Sequence, residues 1–172
     1  TNSITWLAHR LTSLHDTDNK QIFDNVVVVT DRVVVDRQLQ AALLGIEHKA
    51  GLIRVMDEKC SSADLANALN SNTKIIATTI QKFPYIVDSV KGLKNKKFAV
   101  IIDEAHSSTS GKDMAAVSKS LGAGEDDFTD VQDMMTDEIR RNGKQPNVSI
   151  FAFTATPKPT TLMLFGRLNT KG

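Results

Sequence analysis

The apolar residues of this chain fall into two kinds of run, and the two kinds alternate along the sequence. Short uninterrupted runs rich in Val and Ile predict strands that are buried on both faces of a sheet. Runs in which apolar residues recur three and four positions apart predict amphipathic helices. The predicted strands are 26–30, 52–56, 74–79, 98–102 and 148–154, and the predicted helices are 1–15, 35–45, 61–69 and 80–90. This alternation predicts an α/β fold, a parallel sheet flanked by helices with right-handed crossovers.

Two local signals refine the starts of the helices. Ser61 is followed three residues later by Asp64, which is the spacing of a capping box at a helix N-terminus. Pro84 falls early in the predicted helix 80–90, and a helix accepts proline without a kink only in its first turn. We therefore expect one helix to begin just after Ser61 and the other to hold Pro84 in its first turn.

The first predicted helix has no strand before it. A parallel α/β domain ordinarily opens with a strand that leads into its first helix. We therefore expect the chain to begin just inside a helix, with the first strand of the sheet and its loop lying upstream of Thr1.

The stretch 107–147 interrupts the alternation of predicted strands and helices, because it is polar and contains several glycines. It holds two modest helical patterns, Met114–Leu121 and Phe128–Arg141. The second pattern is acidic early and ends in Arg, as the helix dipole favours. We interpret this stretch as a surface insertion of helical character within one domain that spans residues 1–172.

The composition narrows the class of protein. A chain of 172 residues with 41% hydrophobic content is enough for one domain with a sizeable core. Lys and Arg number 21 against 20 Asp and Glu, so any nucleic-acid binding must come from a local surface. Cys60 is the only cysteine, which excludes an internal disulfide and suits a reducing compartment. No apolar run approaches membrane-spanning length, so we expect a cytoplasmic protein without membrane contact.

The strongest candidate for chemistry is the acidic pair Asp103 and Glu104, which directly follows the buried run 98–102. In open parallel sheets, ligands bind at the carboxyl ends of the strands. Two adjacent carboxylates there are costly to hold without a cation. Mg²⁺ is the expected cation, because it takes hard oxygen ligands and is commonly held by one or two carboxylates together with substrate phosphates.

Two strand ends then carry a family resemblance. Asp-Glu-Ala-His at 103–106 and Thr-Ala-Thr-Pro at 154–157 resemble motifs II and III of superfamily 2 helicases and translocases. The finer sequence resembles the motor subunit of type I restriction enzymes, through Val-Thr-Asp-Arg at 29–32, Thr-Thr-Ile-Gln-Lys-Phe at 78–83, Asp-Glu-Ala-His-Ser-Ser at 103–108 and Phe-Thr-Ala-Thr-Pro at 153–157. The resemblance covers nearly the whole chain. It departs from the family at one place, since the phosphate-binding Gly-x-Gly-Lys-Thr loop is absent.

The resemblance implies a fold and a nucleotide site. The fold is a RecA-like P-loop NTPase domain that lacks its first strand and P-loop and carries a helical insertion at about 107–147. The cofactors that the resemblance implies are ATP and Mg²⁺. Asp103 would hold Mg²⁺ through its water shell, and Glu104 would orient or deprotonate the attacking water. Thr1 stands where the last Thr of the phosphate loop would fall, which makes it a candidate nucleotide and metal ligand.

The resemblance also implies coupling and DNA-binding residues. His106 would link the nucleotide site to Thr154 and Thr156, whose hydroxyls can donate or accept a hydrogen bond as the phosphate state changes.

Thr30 and Arg32 resemble motif Ia, and Thr78 and Thr79 resemble motif Ib, which face the DNA backbone. Hydroxyl and guanidinium groups suit phosphates and carry no sequence information, as a motor on any DNA sequence requires.

The implied activity is ATP-driven translocation of double-stranded DNA before cleavage by a nuclease domain outside this chain. The implied partners are a second RecA-like domain and the nuclease domain of the same parent chain, together with modification and specificity subunits. Other interpretations remain open: the motor domain of another superfamily 2 DNA helicase, or a non-catalytic RecA-like docking or nucleic-acid-binding module. A phosphoacceptor domain of the response-regulator type fits less well, because it needs its acidic pair after the first strand.

Overall fold

A computed structural model describes residues 2–30, 37–46, 52–56, 59–104, 136, 139–140, 146–154 and 156–165. The strands are β1 (Asn25–Thr30), β2 (Ile53–Val55), β3 (Ile75–Thr79), β4 (Phe98–Glu104) and β5 (Val148–Thr154). The helices are α1 (Asn2–Thr12), α2 (Arg37–Ile46), α3 (Ser62–Leu69), α4 (Phe83–Gly92) and α5 (Pro159–Phe165). A short 3-10 helix, Ile80–Lys82, leads into α4.

The strands form one sheet in the order β2-β3-β1-β4-β5, and every neighbouring pair is parallel. From β1 to β4, successive strands are joined through helices, and the described helices lie on both faces of the sheet, as expected of a doubly covered parallel sheet. The α/β fold with a parallel sheet flanked by helices is confirmed.

Each face of the sheet has its own apolar cluster. On one face, side chains of α1 and α2 pack against alternate residues of β1, such as Val26 and Val28. On the other face, α3 and α4 pack against the intervening residues, such as Val27 and Val29. Since side chains alternate across a strand, residues at even positions of β1 face α1 and α2, and residues at odd positions face α3 and α4.

Both signals at the helix starts are confirmed. The Ser61 hydroxyl accepts a hydrogen bond from the Asp64 backbone N–H at 3.1 Å, and the Asp64 carboxylate accepts one from the Ser61 backbone N–H at 2.7 Å. The Ser61 hydroxyl also donates to that carboxylate at 2.8 Å. The two bonds that Ser61 donates to the carboxylate, from its hydroxyl and from its backbone N–H, hold the pKa of Asp64 below its ordinary value, because they stabilise the ionised form. Pro84 lies in the first turn of α4.

An asparagine fastens the amino end of β1 and another that of β5. The Asn25 side-chain amide donates to the Thr73 carbonyl at 2.6 Å. The Asn147 amide donates to the carbonyls of Val90 and Leu93 at 3.1 and 3.2 Å. Asn25 is buried, whereas Asn147 is only partly buried. Each side chain therefore supplies a hydrogen-bond donor to carbonyl groups in a loop or near the end of a helix.

Three features differ from the prediction or extend it. The predicted helix 80–90 begins with a turn of 3-10 helix, and α5 was not foreseen, because seven residues are too few to show a helical period. The predicted insertion 107–147 lies almost entirely outside the described residues. Thr136, Ile139 and Arg140 are helical, as the Phe128–Arg141 pattern predicted, and Ile139 packs against the cluster beneath α3 and α4. That part of the stretch therefore contributes to the core as well as to the surface.

Candidate active site

The carboxyl ends of four neighbouring strands place their last residues side by side. Thr79, Thr30, Asp103 and Phe153 form a row, because Thr30 is the register partner of both Thr79 and Asp103, and Asp103 is the partner of Phe153. Register partners in a parallel sheet point to the same face, and this row follows Val28 by two residues. The row therefore lies on the face that α1 and α2 cover.

Asp103 is the charged member of this row, and it is partly exposed. The next two residues of the row, Thr30 on β1 and Thr79 on β3, are each only 4% exposed. The carboxylate thus lies at the boundary between the apolar core and solvent, where a cation or water reaches it from outside. This is the position at which the sequence predicted a ligand site.

The strand ends that carry the two motifs meet as predicted. Glu104 at the end of β4 is the register partner of Thr154 at the end of β5. Thr154 is partly buried and Thr156 is exposed. His106 lies outside the described residues, so its coupling to these two threonines stays a prediction. Thr1 and Arg32 also lie outside the described residues, and their predicted roles are untested.

The three threonines predicted to contact DNA are all buried. Thr78 is 0% exposed, and it faces α3 and α4 because its register partner is Val29. Within the described part of the chain, the hydroxyls of Thr30 and Thr78 have no hydrogen-bond partner. Hydroxyls beneath the surface cannot reach a DNA phosphate in this arrangement. Their DNA-binding role stays a prediction. The hydroxyls do not form an exposed surface, because every residue of β1 and β3 is buried, including the last one of each strand.

A groove opens between the first turns of α1 and the end of β5, and Phe153, the register partner of Asp103, lines it. It has a volume of about 490 Å³ and is lined by Asn2, Ser3, Trp6, Leu7 and Phe153. Trp6 is 60% exposed, and the Arg10 guanidinium carbon lies 5.3 Å from the centre of its ring. Sequence reasoning missed this groove. The available signal was a large aromatic residue off the buried stripe of α1, which runs through Ile4, Ala8 and Leu11.

Helix α1 and Phe153, the register partner of Asp103, line the same groove. The described residues of α1 include no Asp or Glu. This helix therefore adds no negative charge beside the groove.

The donor set fits Mg²⁺ better than a structural metal. Among the described residues, no group of three or more His, Cys, Asp or Glu side chains could hold a metal ion. A partly exposed carboxylate at a strand end is the kind of protein ligand that holds Mg²⁺ together with phosphate oxygens and water. A zinc site would need three or four protein ligands.

The comparison with known families agrees with this geometry. A family model described as SWI2/SNF2 ATPase matches residues 2–168. The all-parallel sheet and the acidic strand end therefore belong to a RecA-like ATPase domain of the superfamily 2 helicase type. The chain is a member of the SWI2/SNF2 ATPase family. No curated protein matches it.

Among the described helices, none is long and apolar enough to cross a membrane.

Proposed function

We propose that this chain is the N-terminal RecA-like part of an ATP-driven double-stranded DNA translocase, the motor subunit of a type I restriction enzyme. The proposal rests mainly on one observation, which is that β4 and β5, the strands that lead into the two motifs, are paired in the sheet. Asp103 and Glu104 at the end of β4 are in register with Phe153 and Thr154 at the end of β5. The family match supports a nucleic-acid-stimulated ATPase motor. The restriction assignment rests on the motif sequences themselves. We call the longer chain that would contain this domain the parent protein, and we expect it to act in the cytoplasm.

The proposed division of labour follows the chemistry of phosphoryl transfer, which depends mainly on positioning and charge neutralisation. Asp103, with Thr1, would hold Mg²⁺, which neutralises the charge of the phosphate oxygens. Glu104 would orient the attacking water and accept its proton.

DNA contact is assigned to the segments that follow β1 and β3, where Arg32 is the candidate phosphate ligand. The hydroxyls at the ends of those strands are buried, so the proposal places the contact on the segments beyond them. A guanidinium that binds phosphate positions the duplex without reading its sequence. A motor subunit of this kind leaves recognition of the DNA sequence to another subunit.

The central test replaces Glu104 by Gln in the parent protein. We expect ATP hydrolysis to fall by at least about a hundredfold, because a general base commonly contributes that much or more. Binding of ATP should persist, because Gln keeps the shape of the side chain. The matched control is Asp88→Asn, which neutralises an exposed carboxylate in α4 and should leave hydrolysis unchanged. Normal hydrolysis by Glu104→Gln would remove Glu104 from the mechanism, and inactive wild-type parent would favour a non-catalytic module.

A second candidate is a SWI2/SNF2 motor with no restriction activity, which the breadth of the family match favours. Both candidates predict ATP-dependent displacement of a triplex-forming strand from duplex DNA. Only the first predicts DNA cleavage once the modification and specificity subunits are added. Translocation without cleavage in the assembled complex would support the second candidate.

Transmission between the nucleotide and the DNA is proposed for His106, Thr154 and Thr156. Thr154 is the register partner of Glu104, so its hydroxyl would lie near the proposed catalytic base. Replacing both threonines by Ala in the parent protein should preserve much of the DNA-stimulated ATP hydrolysis while reducing triplex displacement. Equal losses of both activities, or no loss of either, would contradict a coupling role.

A further inference from the structure

The hydroxyl of Thr30 is buried without a hydrogen-bond partner among the described residues, at the end of the central strand β1. Buried polar groups in folded proteins are almost always bonded, and an exception calls for a physical explanation. The explanations that fit a buried hydroxyl are a water or ion in contact with it, or a partner that reaches it only in another state of the protein.

Asp103 is the neighbour best suited to become that partner. It is the register partner of Thr30 on β4, and neighbouring strands lie about 4.8 Å apart, so the two side chains leave the sheet side by side on the same face. An ionised carboxylate only accepts hydrogen bonds, and a hydroxyl can donate one. A hydrogen bond to a charged acceptor is stronger than one to the neutral hydroxyl of Thr79 on the other side.

We propose that Thr30 is a positioning residue for Asp103, and that its hydroxyl donates a hydrogen bond to the Asp103 carboxylate when a divalent cation and nucleotide are bound. This inference rests on the proposed function, since it assigns a support to the carboxylate that would hold Mg²⁺. A carboxylate has two oxygens, and fixing one of them by a hydrogen bond orients the other toward the cation. Thr30 acts through Asp103 and does not touch the cation itself.

Thr78 offers a matched control within the same sheet. Its hydroxyl is also buried and has no partner among the described residues, and it lies one position from the end of the neighbouring strand β3. It differs in the face that it occupies, because Thr78 pairs with Val29 and so faces α3 and α4. A general effect of removing a buried hydroxyl would appear at both positions, whereas support of Asp103 can come only from Thr30.

The experiment measures the affinity of the parent protein for Mn²⁺, a paramagnetic stand-in for Mg²⁺, by electron paramagnetic resonance with saturating ATP analogue that is not hydrolysed. Thr30→Val removes the hydroxyl and keeps the shape, Thr30→Ser keeps the hydroxyl, and Thr78→Val is the control. Thermal unfolding of each variant without cation or nucleotide is the second measurement. Asp103→Asn serves as the reference for loss of the ligand.

We expect Thr30→Val to weaken Mn²⁺ binding by about tenfold or more, the usual effect of losing a support of a metal ligand. Thr30→Ser should bind as the wild type does, and so should Thr78→Val. Without cation, Thr30→Val should unfold at the same temperature as wild type or higher, because it removes an unbonded polar group from the interior. A merely structural role would instead lower the unfolding temperature and leave the affinity unchanged.

Normal Mn²⁺ affinity in Thr30→Val, or an equal loss in Thr30→Val and Thr78→Val, would overturn the role of Thr30 while Asp103 remained a ligand. Wild-type protein that binds no Mn²⁺, or an Asp103→Asn variant that binds it normally, would overturn the proposed function and the role of Thr30 with it. The two failures are therefore distinguished by the same titration.

Discussion

Strands β1 and β5 have similar apolar sequences and occupy different places in the sheet. β1 lies at the centre between β3 and β4, and all of its residues are buried. Among the described residues β5 pairs only with β4, and most of its residues are partly buried. Within the described residues, the number of paired neighbours, and not the apolar composition, accounts for the difference in burial between these two strands.

The consequence extends to the chemistry of the strand ends. The last residue of β1, Thr30, is sealed beneath the surface, whereas Thr154 at the end of β5 is partly exposed and Thr156 beyond it is exposed. Hydroxyls of the same residue type are therefore assigned different tasks. The buried hydroxyl lies next to a neighbouring side chain, Asp103, whereas the outer hydroxyls can respond to a ligand or to another domain.

The largest expected effect comes from placing the same charge in each strand. Val27→Asp puts a carboxylate into the cluster beneath α3 and α4, whose described members are all apolar, and we expect a loss of more than about 4 kcal/mol in the free energy of unfolding. Ser149→Asp places the same group on an exposed position of β5 and should change stability by less than about 0.5 kcal/mol. Urea unfolding followed by circular dichroism measures both. Similar losses in the two variants would break the comparison.

A smaller effect is expected when the same side chain is shortened in both strands. Val27→Ala should lower the free energy of unfolding by about 2 kcal/mol, because it removes two buried methyl groups and leaves a cavity. Val148→Ala should cost about 1 kcal/mol or less, because Val148 is already partly exposed and solvent can enter the space. The ratio of the two losses, measured by the same unfolding experiment, sharpens the difference in burial. A larger loss at Val148 would contradict it.

The asparagines that fasten the two strands should differ in the same direction. Asn25→Ala leaves the buried carbonyl of Thr73 without its donor, and we expect a cost of about 1–3 kcal/mol. Asn147→Ala exposes carbonyls that water can reach, and its cost should be about 1 kcal/mol. Crystal structures of both variants provide a check, since a water in place of the Asn147 amide is expected. Equal costs at the two positions would mean that burial of the amide is unimportant.

The smallest effect on stability is expected at Asp64, which lies outside both strands and serves as a baseline for the comparison. Hydrogen bonds from Ser61 lower the pKa of Asp64, so the ionised carboxylate stabilises the fold. A lowered folded pKa gives stability that is present above the unfolded pKa and lost as the pH falls through the folded pKa. The loss should therefore begin below about pH 4. Titration of Asp64 by nuclear magnetic resonance in wild type and Ser61→Ala checks this, and an unchanged pKa in the variant would contradict the cause given.

Much of the fold was visible in the sequence because its signals are local. The strands appear as short apolar runs, and the capping box shows in Ser61 and Asp64. The acidic pair Asp103 and Glu104 was correctly placed at a strand end. Helix α5 was missed, since a segment of seven residues carries too little periodicity to be recognised.

The sequence by itself determined which segments are strands and which are helices, and that chemistry-bearing residues follow the apolar runs. Only the tertiary structure decided that β1 is central, that Thr30 lies beside Asp103, and that a groove opens between Trp6 and Phe153. The physical reason is that secondary-structure propensity and the periodicity of apolar side chains depend on a few neighbouring residues. Strand order and register depend instead on contacts between segments far apart in the chain. Burial of a hydroxyl follows from those contacts. Thr30 and Thr154 each end an apolar strand, yet Thr30 is buried and Thr154 is partly exposed.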